Sequence, residues 1–276
     1  MLLLGTLLAV APFAWMLADV LVLGLPRVDW SFLTSAPSQA GRAGGIAPIL
    51  VSTMAIVLVA WFSVVPMGLG AALALVNWHH TNNRIWRWSS RGVEQSLDLL
   101  AATPSVVFGL FGNALFCLYL GMGFSILSGG LTLACMVLPL FVRTAQIGLR
   151  AAAEQLRAPA AATGLSRSTF YLRLVVPAAS PAILAALALS TGRALAETAA
   201  LIFTSGFVDR MPTTLFDSGR TLSVHIYDLA MNVPGGDVSA RATAVVLVGA
   251  LLLINGLARL VLRMFVRFID ADPLPA

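Results

Sequence analysis

No lysine occurs anywhere in the 276 residues, so all 17 basic side chains are arginine. That absence excludes chemistry that needs an amine. A GxxxxGK[ST] phosphate loop has no lysine for the β- and γ-phosphates, and no Schiff base can form. The chain is therefore expected not to hydrolyse ATP by itself and to be no enzyme, with no catalytic residues and no cofactor of its own. Charge of either sign is scarce, at 11% of residues, and only two cysteines are present. Cys117 and Cys135 lie in apolar runs without CxxC spacing or a neighbouring histidine cluster, so neither a metal site nor a disulfide framework is indicated. Both thiols read as small buried hydrophobes.

Apolar residues fill the gap: 59% of the chain is hydrophobic and the mean hydropathy is +0.90. Runs of about 20 apolar residues, the length that crosses a bilayer core, recur along the whole sequence. The expected fold class is all-α, a polytopic membrane protein with spans near 2–25, 46–76, 97–121, 124–147, 179–206 and 240–265. The first segment lacks the basic start and small-residue cleavage site of a secretory signal, so it is kept as a retained helix, with a cleaved signal as the alternative. The longest polar stretches, 150–177 and 207–239, are too short to build cores of their own. One transmembrane domain over 1–276 is expected, and any chemistry that needs a soluble domain must come from partners.

Arginine placement orients the spans, because cytoplasmic loops carry the positive excess. Arg84, Arg87 and Arg91 follow the second span, Arg143, Arg150, Arg157, Arg167 and Arg173 join the fourth to the fifth, and Arg259, Arg263 and Arg267 lie in the tail. The opposite loops dilute their arginines with Asp29, Asp209, Asp217, Asp228 and Asp237. Both termini are then expected in the cytoplasm, with Trp78, Trp86 and Trp88 as an interfacial belt. No internal duplication of the kind found in inverted-repeat transporters is visible.

Residues 150–177 read RAAAEQLRAPAAATGLSRSTFYLRLVVP. The alanines favour helix, Pro159 is expected to break or redirect it, Gly164 permits a turn, and Leu165, Phe170, Leu172 and Leu174 return an apolar face. Two short helices with a bend at the membrane surface are expected, and without further pattern they read as a positive-inside, amphipathic connector.

The fifth segment carries Arg193 and Glu197 inside an apolar run. Each costs about 2.5–3.5 kcal/mol at a helix centre on insertion scales, so each should face a bundle interior or a wet path. Their i, i+4 spacing leaves two readings open: a self-neutralising pair that only fixes packing, or a guanidinium station for an oxyanion with the carboxylate beside it. Phosphate keeps a P–OH donor near neutral pH and sulfate has none, so a carboxylate at the station would favour phosphate. In the third segment Pro104 removes a backbone hydrogen bond, which Thr103, Ser105 or a neighbouring helix must replace. Gly109 and Gly112 leave a shallow face for a close helix, and packing explains them as well as function does.

Three motifs carry a resemblance to a known family. Gly164, followed after nine residues by Leu174-Val175-Val176-Pro177, resembles the G-x9-I-x-L-P pattern of the EAA loop of bacterial ABC importer permeases, with Ala158-Pro159-Ala160 in the place of Glu-Ala-Ala. Gly192 through Thr204 (GRALAETAALIFT) is similar to the ARAxGETAPLLFT signature of Pst-type phosphate importer permeases, closer to the PstA-like than the PstC-like subunit. Thr103 through Gly112 (TPSVVFGLFG) is similar to that family's PSIVxGLFG. The resemblance covers about residues 50–265 and implies a type I ABC importer (MetI-like) architecture in a bacterial inner membrane. It places Arg193, Glu197, Thr198, Pro104 and Ser105 at the substrate path. It places Arg157, Ala158, Pro159, Ala160, Gly164, Leu165, Leu174 and Pro177 at the contact with an ATPase, with Pro177 starting the next span. Ala196 and Ala200 depart from the signature's glycine and proline, from which a straighter helix is expected. Glu154, one turn before Ala158, is a candidate replacement for the missing acid.

The implied partners are a second, PstC-like permease subunit, two PstB-like ATPase subunits that bind the ATP, and a PstS-like phosphate-binding protein. The expected function is the permease half of an ATP-driven importer of inorganic phosphate. Permeation of sulfate, molybdate or phosphonate, and an ion-coupled secondary transporter with Arg193 and Glu197 as coupling site, are the alternatives. His79 and His80 read as interfacial, and Glu94 and Asp98 as helix-end residues paired with Arg91 or Arg87. Asp217, Arg220, His225 and Asp228 lie where a delivering protein would dock.

Overall fold

The computed structural model describes the backbone of residues 2–79 and 84–270, almost all of it helical. Helix α1 (Leu2–Gly24) leads through a short turn to α2 (Trp30–Thr34) and a small antiparallel hairpin, β1 (Pro37–Ser38) with β2 (Ala43–Gly44). Then come α3 (Ala47–His79), α4 (Arg84–Ala102), α5 (Ser105–Gly112) and α6 (Ile126–Ala162). A wider helical turn over Asn113–Tyr119 continues α5. Helix α7 (Arg167–Thr169) runs through another wide turn, Phe170–Val175, into α8 (Val176–Ala178). The chain closes with α9 (Ser180–Ala196), α10 (Ala199–Ile202), α11 (Leu222–Met231) and α12 (Asp237–Asp270).

Among the described residues four helices are long and apolar enough to cross a membrane, over Gly5–Arg27, Ala47–Asn77, Ile126–Ala162 and Asp237–Val261. Two bent pairs bring the number to six if each counts as one span: Trp88–Ala102 with Ser105–Tyr119, bent by 101°, and Arg167–Ala178 with Ser180–Ala196, bent by 64°. The first bend falls at Pro104, inside the expected third span, where the loss of a backbone hydrogen bond is expected and the resemblance implies a break. Pro104 sits just before the first residue of α5, where its missing N–H costs nothing, and it holds Thr103 out of the helical conformation. The freed groups are met locally, Thr103 Oγ1 donating to Leu99 O at 2.8 Å and Val107 N to Pro104 O at 3.0 Å.

Two corrections concern α6 and α9. Pro159 does not break α6, which runs unbroken from Ile126 through Pro139 and Pro159 to Ala162. The loss of one bond in an exposed final turn is small, and the stop is made by Gly164 at φ +67°, a left-handed position that favours glycine. Nor does Pro177 open the fifth span. It lies in the short α8, and Pro181 stands in the first turn of α9 beyond the 64° bend.

The core lies where α6 packs on α3 and α9. Ile56 and Leu75 of α3, Leu133, Phe141 and Leu149 of α6, Val175 and Ala186 are all fully buried. Helices α1 and α12 pack on each other at the edge, tied by Arg241 Nε to Asp19 Oδ2 at 3.1 Å. Their outward residues, such as Phe13, Trp15, Leu252 and Leu253, are exposed, as lipid-facing surfaces are.

The glycines of the third segment are close-approach points. A Cβ on Gly109 would stand 2.9 Å from Ala200 Cα, and one on Gly112 would stand 2.1 Å from Thr132 Oγ1 and 2.9 Å from Thr132 Cβ. Gly112→Ala is therefore expected to lower the detergent-solubilised melting temperature, at a cost of about 1–3 kcal/mol from overpacking. Gly92→Ala, in open space on α4, should leave the temperature unchanged or raise it. Equal melting temperatures for the two variants would contradict the packing described.

Candidate translocation path and coupling loop

The fifth segment is not one helix. Helix α9 stops at Ala196, Glu197 is extended (φ −77°, ψ 129°), and α10 starts two residues later. This corrects the expectation of a straighter helix from Ala200 in place of proline, and the cause lies in side chains. Glu197 Oε1 accepts from Ala200 N at 3.3 Å, and Ser223 Oγ of α11 donates to Glu197 O. The backbone groups freed by the break are thus met inside the protein, as a low-dielectric surrounding requires. Thr198 O accepts from Ile202 N at 3.1 Å, which completes α10.

Because the helix ends at Ala196 and Glu197 is extended, Arg193 and Glu197 do not form the i, i+4 pair that the spacing suggested. The carboxylate faces the start of α10. Arg193 lies on an exposed strip of α9 with Ala185, Leu189 and Ala196, and makes no hydrogen bond or ion pair among the described residues. Such a guanidinium, in a mostly apolar helix and next to a break, has no counter-charge among the described residues.

Helix α5 connects the second break to this one. Gly109 lies against Ala200, Asn113 Nδ2 donates to Phe203 O at 2.8 Å, and Cys117 Sγ lies 3.6 Å from Thr204 O. The segment after Glu197 is therefore clamped by α5, whose first turn carries Pro104 and Ser105. Both are accessible, Pro104 exposed and Ser105 half-buried, and no hydrogen bond joins either to Arg193.

At the arginine-rich end, Arg157, Ala158 and Pro159 are exposed along the last turns of α6, and Ala160 is buried against the core. Leu165 is exposed beyond Gly164, Leu174 packs on the core, and Pro177 is exposed. A cavity of about 300 Å³ opens between this stretch and the end of α3, lined by Asn77, Arg157, Ala160, Leu165, Arg167 and Tyr171. Glu154 is engaged by Arg150, one turn before it, at 3.3 Å.

Within 207–239, Arg220 and His225 are buried and tied to Asp228, while Asp217 braces an exposed turn. Arg220, 8% exposed, donates through Nε and Nη2 to Phe207 O at 2.9 and 2.6 Å and pairs with Asp228 Oδ2 at 2.9 Å. Its Nη1 lies 3.1 Å from His225 Nδ1. An arginine can only donate, so His225 is neutral with its proton on Nε2. Asp217 Oδ2 accepts from Thr213 N, Thr213 Oγ1 and Thr214 N, and these bonds pull its carboxyl down to about 2.

Among the described residues Glu94 and Asp98 share Arg143 of α6, and the Arg87 also expected as a partner has its side chain outside those residues. Arg143 Nη2 reaches Asp98 Oδ1 at 2.6 Å and Glu94 O at 2.8 Å, and Gln146 Nε2 donates to Glu94 Oε1 at 3.0 Å. Sequence reasoning counted Arg143 only as loop charge. Its signal was there: one arginine in the apolar run LPLFVRTAQ after two acids at i, i+4. The Asp19–Arg241 pair was missed for the same reason. His80 and the side chains of Trp78, His79, Trp86 and Arg87 lie outside the described residues, and Trp88 is exposed.

The family described as the binding-protein-dependent transport system inner membrane component matches residues 65–271. The chain belongs to this family. It is a PstA-like ABC permease, a membrane-embedded transport component of a family in which separate subunits hydrolyse ATP and a binding protein delivers substrate. It is 27% identical over 255 residues to the probable ABC transporter permease protein YqgI of Bacillus subtilis, covering 87% of this chain and 85% of that one. It is 32% identical over 235 residues to the phosphate transport system permease protein PstA homolog of Mycoplasma pneumoniae. That match covers 82% of this chain, which spans only 33% of the longer relative. A solved structure of the MetNI methionine ABC transporter, inward facing, matches with a TM-score of 0.65 at 14% identity, over 80% of this chain and 95% of that one, and shares the MetI-like fold.

Acid sensitivity of the permease follows from His225. Burial, and after it the Arg220 charge, push its pKa from 6.5 to about 4. Because the folded value lies below the unfolded one, this contribution to stability is complete above about pH 6.5 and is lost as the pH falls towards 4. The melting temperature is expected to fall between pH 6.5 and 4, and His225→Gln should flatten that slope. An unchanged slope in the variant would remove His225 as its cause.

Proposed function

We propose that this chain is the permease subunit of an ATP-driven importer of inorganic phosphate, with Arg193 as the station that receives the anion. The observation that carries this reading is the exposed, unpaired guanidinium of Arg193 beside the break at Glu197. Its planar fork matches two oxygens of a tetrahedral anion. Glu197, already an acceptor at Ala200 N, is one residue past the helix end and is the natural acceptor for a P–OH. Sulfate has no such donor and would face the carboxylate unpaired. The name of the Mycoplasma pneumoniae relative supports phosphate.

The permease is expected to pair with a second permease chain across a two-fold or pseudo-two-fold axis, so that the exposed strip of α9 faces a shared path. Residues 150–177 and both termini lie in the cytoplasm by the arginine bias. There the exposed Arg157, Ala158, Pro159 and Leu165 meet an ATPase, while Gly164, Ala160, Leu174 and Pro177 shape the turn that presents them. Two ATPase subunits dock on this side and a phosphate-binding protein on the other. Closure of the ATPases rocks the helices between two accessible states, which ATP and the loaded binding protein must stabilise to different extents.

The test is uptake of radiolabelled phosphate by proteoliposomes holding the whole importer. Loss of both guanidinium bonds to the anion is worth about 3 kcal/mol, so Arg193→Ala should lower uptake roughly 100-fold. Arg193→Lys should keep part of the activity, because the charge remains without the fork. A tenfold excess of sulfate should compete weakly in the wild type and more strongly against Glu197→Gln. Wild-type uptake by the Arg193→Ala importer would end this reading.

A further inference from the structure

Helix α4 is held to the bundle by polar contacts more than by burial. Of its described side chains only Ser90 and Leu97 are buried, while Trp88, Val93, Leu99 and Leu100 are exposed. The Arg143 node therefore sets how α4 lies on α6. It gathers Asp98 Oδ1 at 2.6 Å, Glu94 O at 2.8 Å, Gln146 Oε1 at 3.4 Å and Glu94 Oε1 at 3.8 Å. The Arg143 and Glu94 side chains are 31% and 23% exposed and Asp98 is 67% exposed, so solvent screens the Asp98 pair strongly and the contacts to Glu94 only in part.

The position of the node in the fold gives it a mechanical meaning. The same unbroken helix that carries Arg143 ends in Arg157–Ala160 and the Gly164 turn, with no hinge between. At its far end α4 leads after one residue into the 101° bend at Pro104, and from there into α5 and its clamp on the segment after Glu197. A displacement of 150–164 moves Arg143 as part of one body, and Arg143 holds the arm that ends at Pro104.

We propose that Arg143 is a positioning residue that couples α6 to α4, transmitting motion of the 150–177 stretch to the break at Pro104 and so to the path beside Arg193. The proposal rests on the transport reading above, and its test separates the two. Trp88→Cys and Ile147→Cys, both at exposed sites on α4 and α6, are introduced after Cys117 and Cys135 are replaced by alanine, and spin-label distances are measured in the assembled importer. A narrow distribution is expected, broadened or shifted in Arg143→Gln and restored in the charge-swapped pair Arg143→Asp with Asp98→Arg.

In proteoliposomes without labels, Arg143→Gln should lower phosphate uptake about tenfold or more while ATP hydrolysis stimulated by the binding protein stays within about twofold, with uptake regained by the swapped pair. An unchanged distance distribution overturns the node. A changed distribution with normal uptake, or a parallel loss of uptake and hydrolysis that the swap does not rescue, overturns the coupling. If the wild type moves no phosphate, the transport reading fails while the distance experiment still decides the node.

Discussion

A polar group surrounded by hydrocarbon must find its partner inside the protein, and this requirement shapes the chain more than any propensity does. Arg241 reaches across to Asp19, Arg143 to Asp98 and Glu94, and Arg220 to Asp228 and the Phe207 carbonyl. Even the interruption of the fifth segment obeys it, because the Glu197 carbonyl is met by Ser223 and the α10 start by the Glu197 carboxylate. Against that background Arg193, in the apolar α9, has no acceptor among the described residues, a condition it shares with Arg91, Arg173 and Arg259.

The helices that carry these groups come close because small residues let them. Gly109 admits Ala200, Gly112 admits Thr132, and the third segment can lie against both α6 and α10. That closeness makes Asn113 and Cys117 reach the carbonyls of Phe203 and Thr204, so the stretch after Glu197 is fixed from two sides. Packing and path are therefore one construction: the residues that look like helix-contact glycines also hold the break in place.

Much of the architecture was legible because hydropathy measures solvent directly: long apolar runs mark α1, α3, α6 and α12 without help from neighbours. The break at Pro104 was legible and the one at Glu197 was not. Proline is a poor guide within a span, since Pro159 leaves α6 intact where water and a nearby end absorb its cost, while Pro104 turns the chain by 101°. The stop at Glu197 depends on Ser223, 26 residues further on, which no local pattern reveals. For the candidate site, the types and positions of Arg193 and Glu197 were readable, but their relation was not: i, i+4 spacing implies pairing only if the helix continues. Arg143 escaped because positive charge near a loop has an ordinary explanation, and its acids sit 45 and 49 residues away.

The fork of Arg220 has a consequence for the long connection between α10 and α12. By binding the Phe207 carbonyl on one side and Asp228 on the other, it closes the intervening residues into a ring, with the Asp217 turn as a second cross-tie near the tip. A closed ring cannot flap. Whatever grips the exposed tip near Met211–Phe216 pulls at once on α11, and through Ser223 on the carbonyl at the end of α9. The connection is thus braced at its base against the stretch where, among the described residues, the fifth segment is unwound.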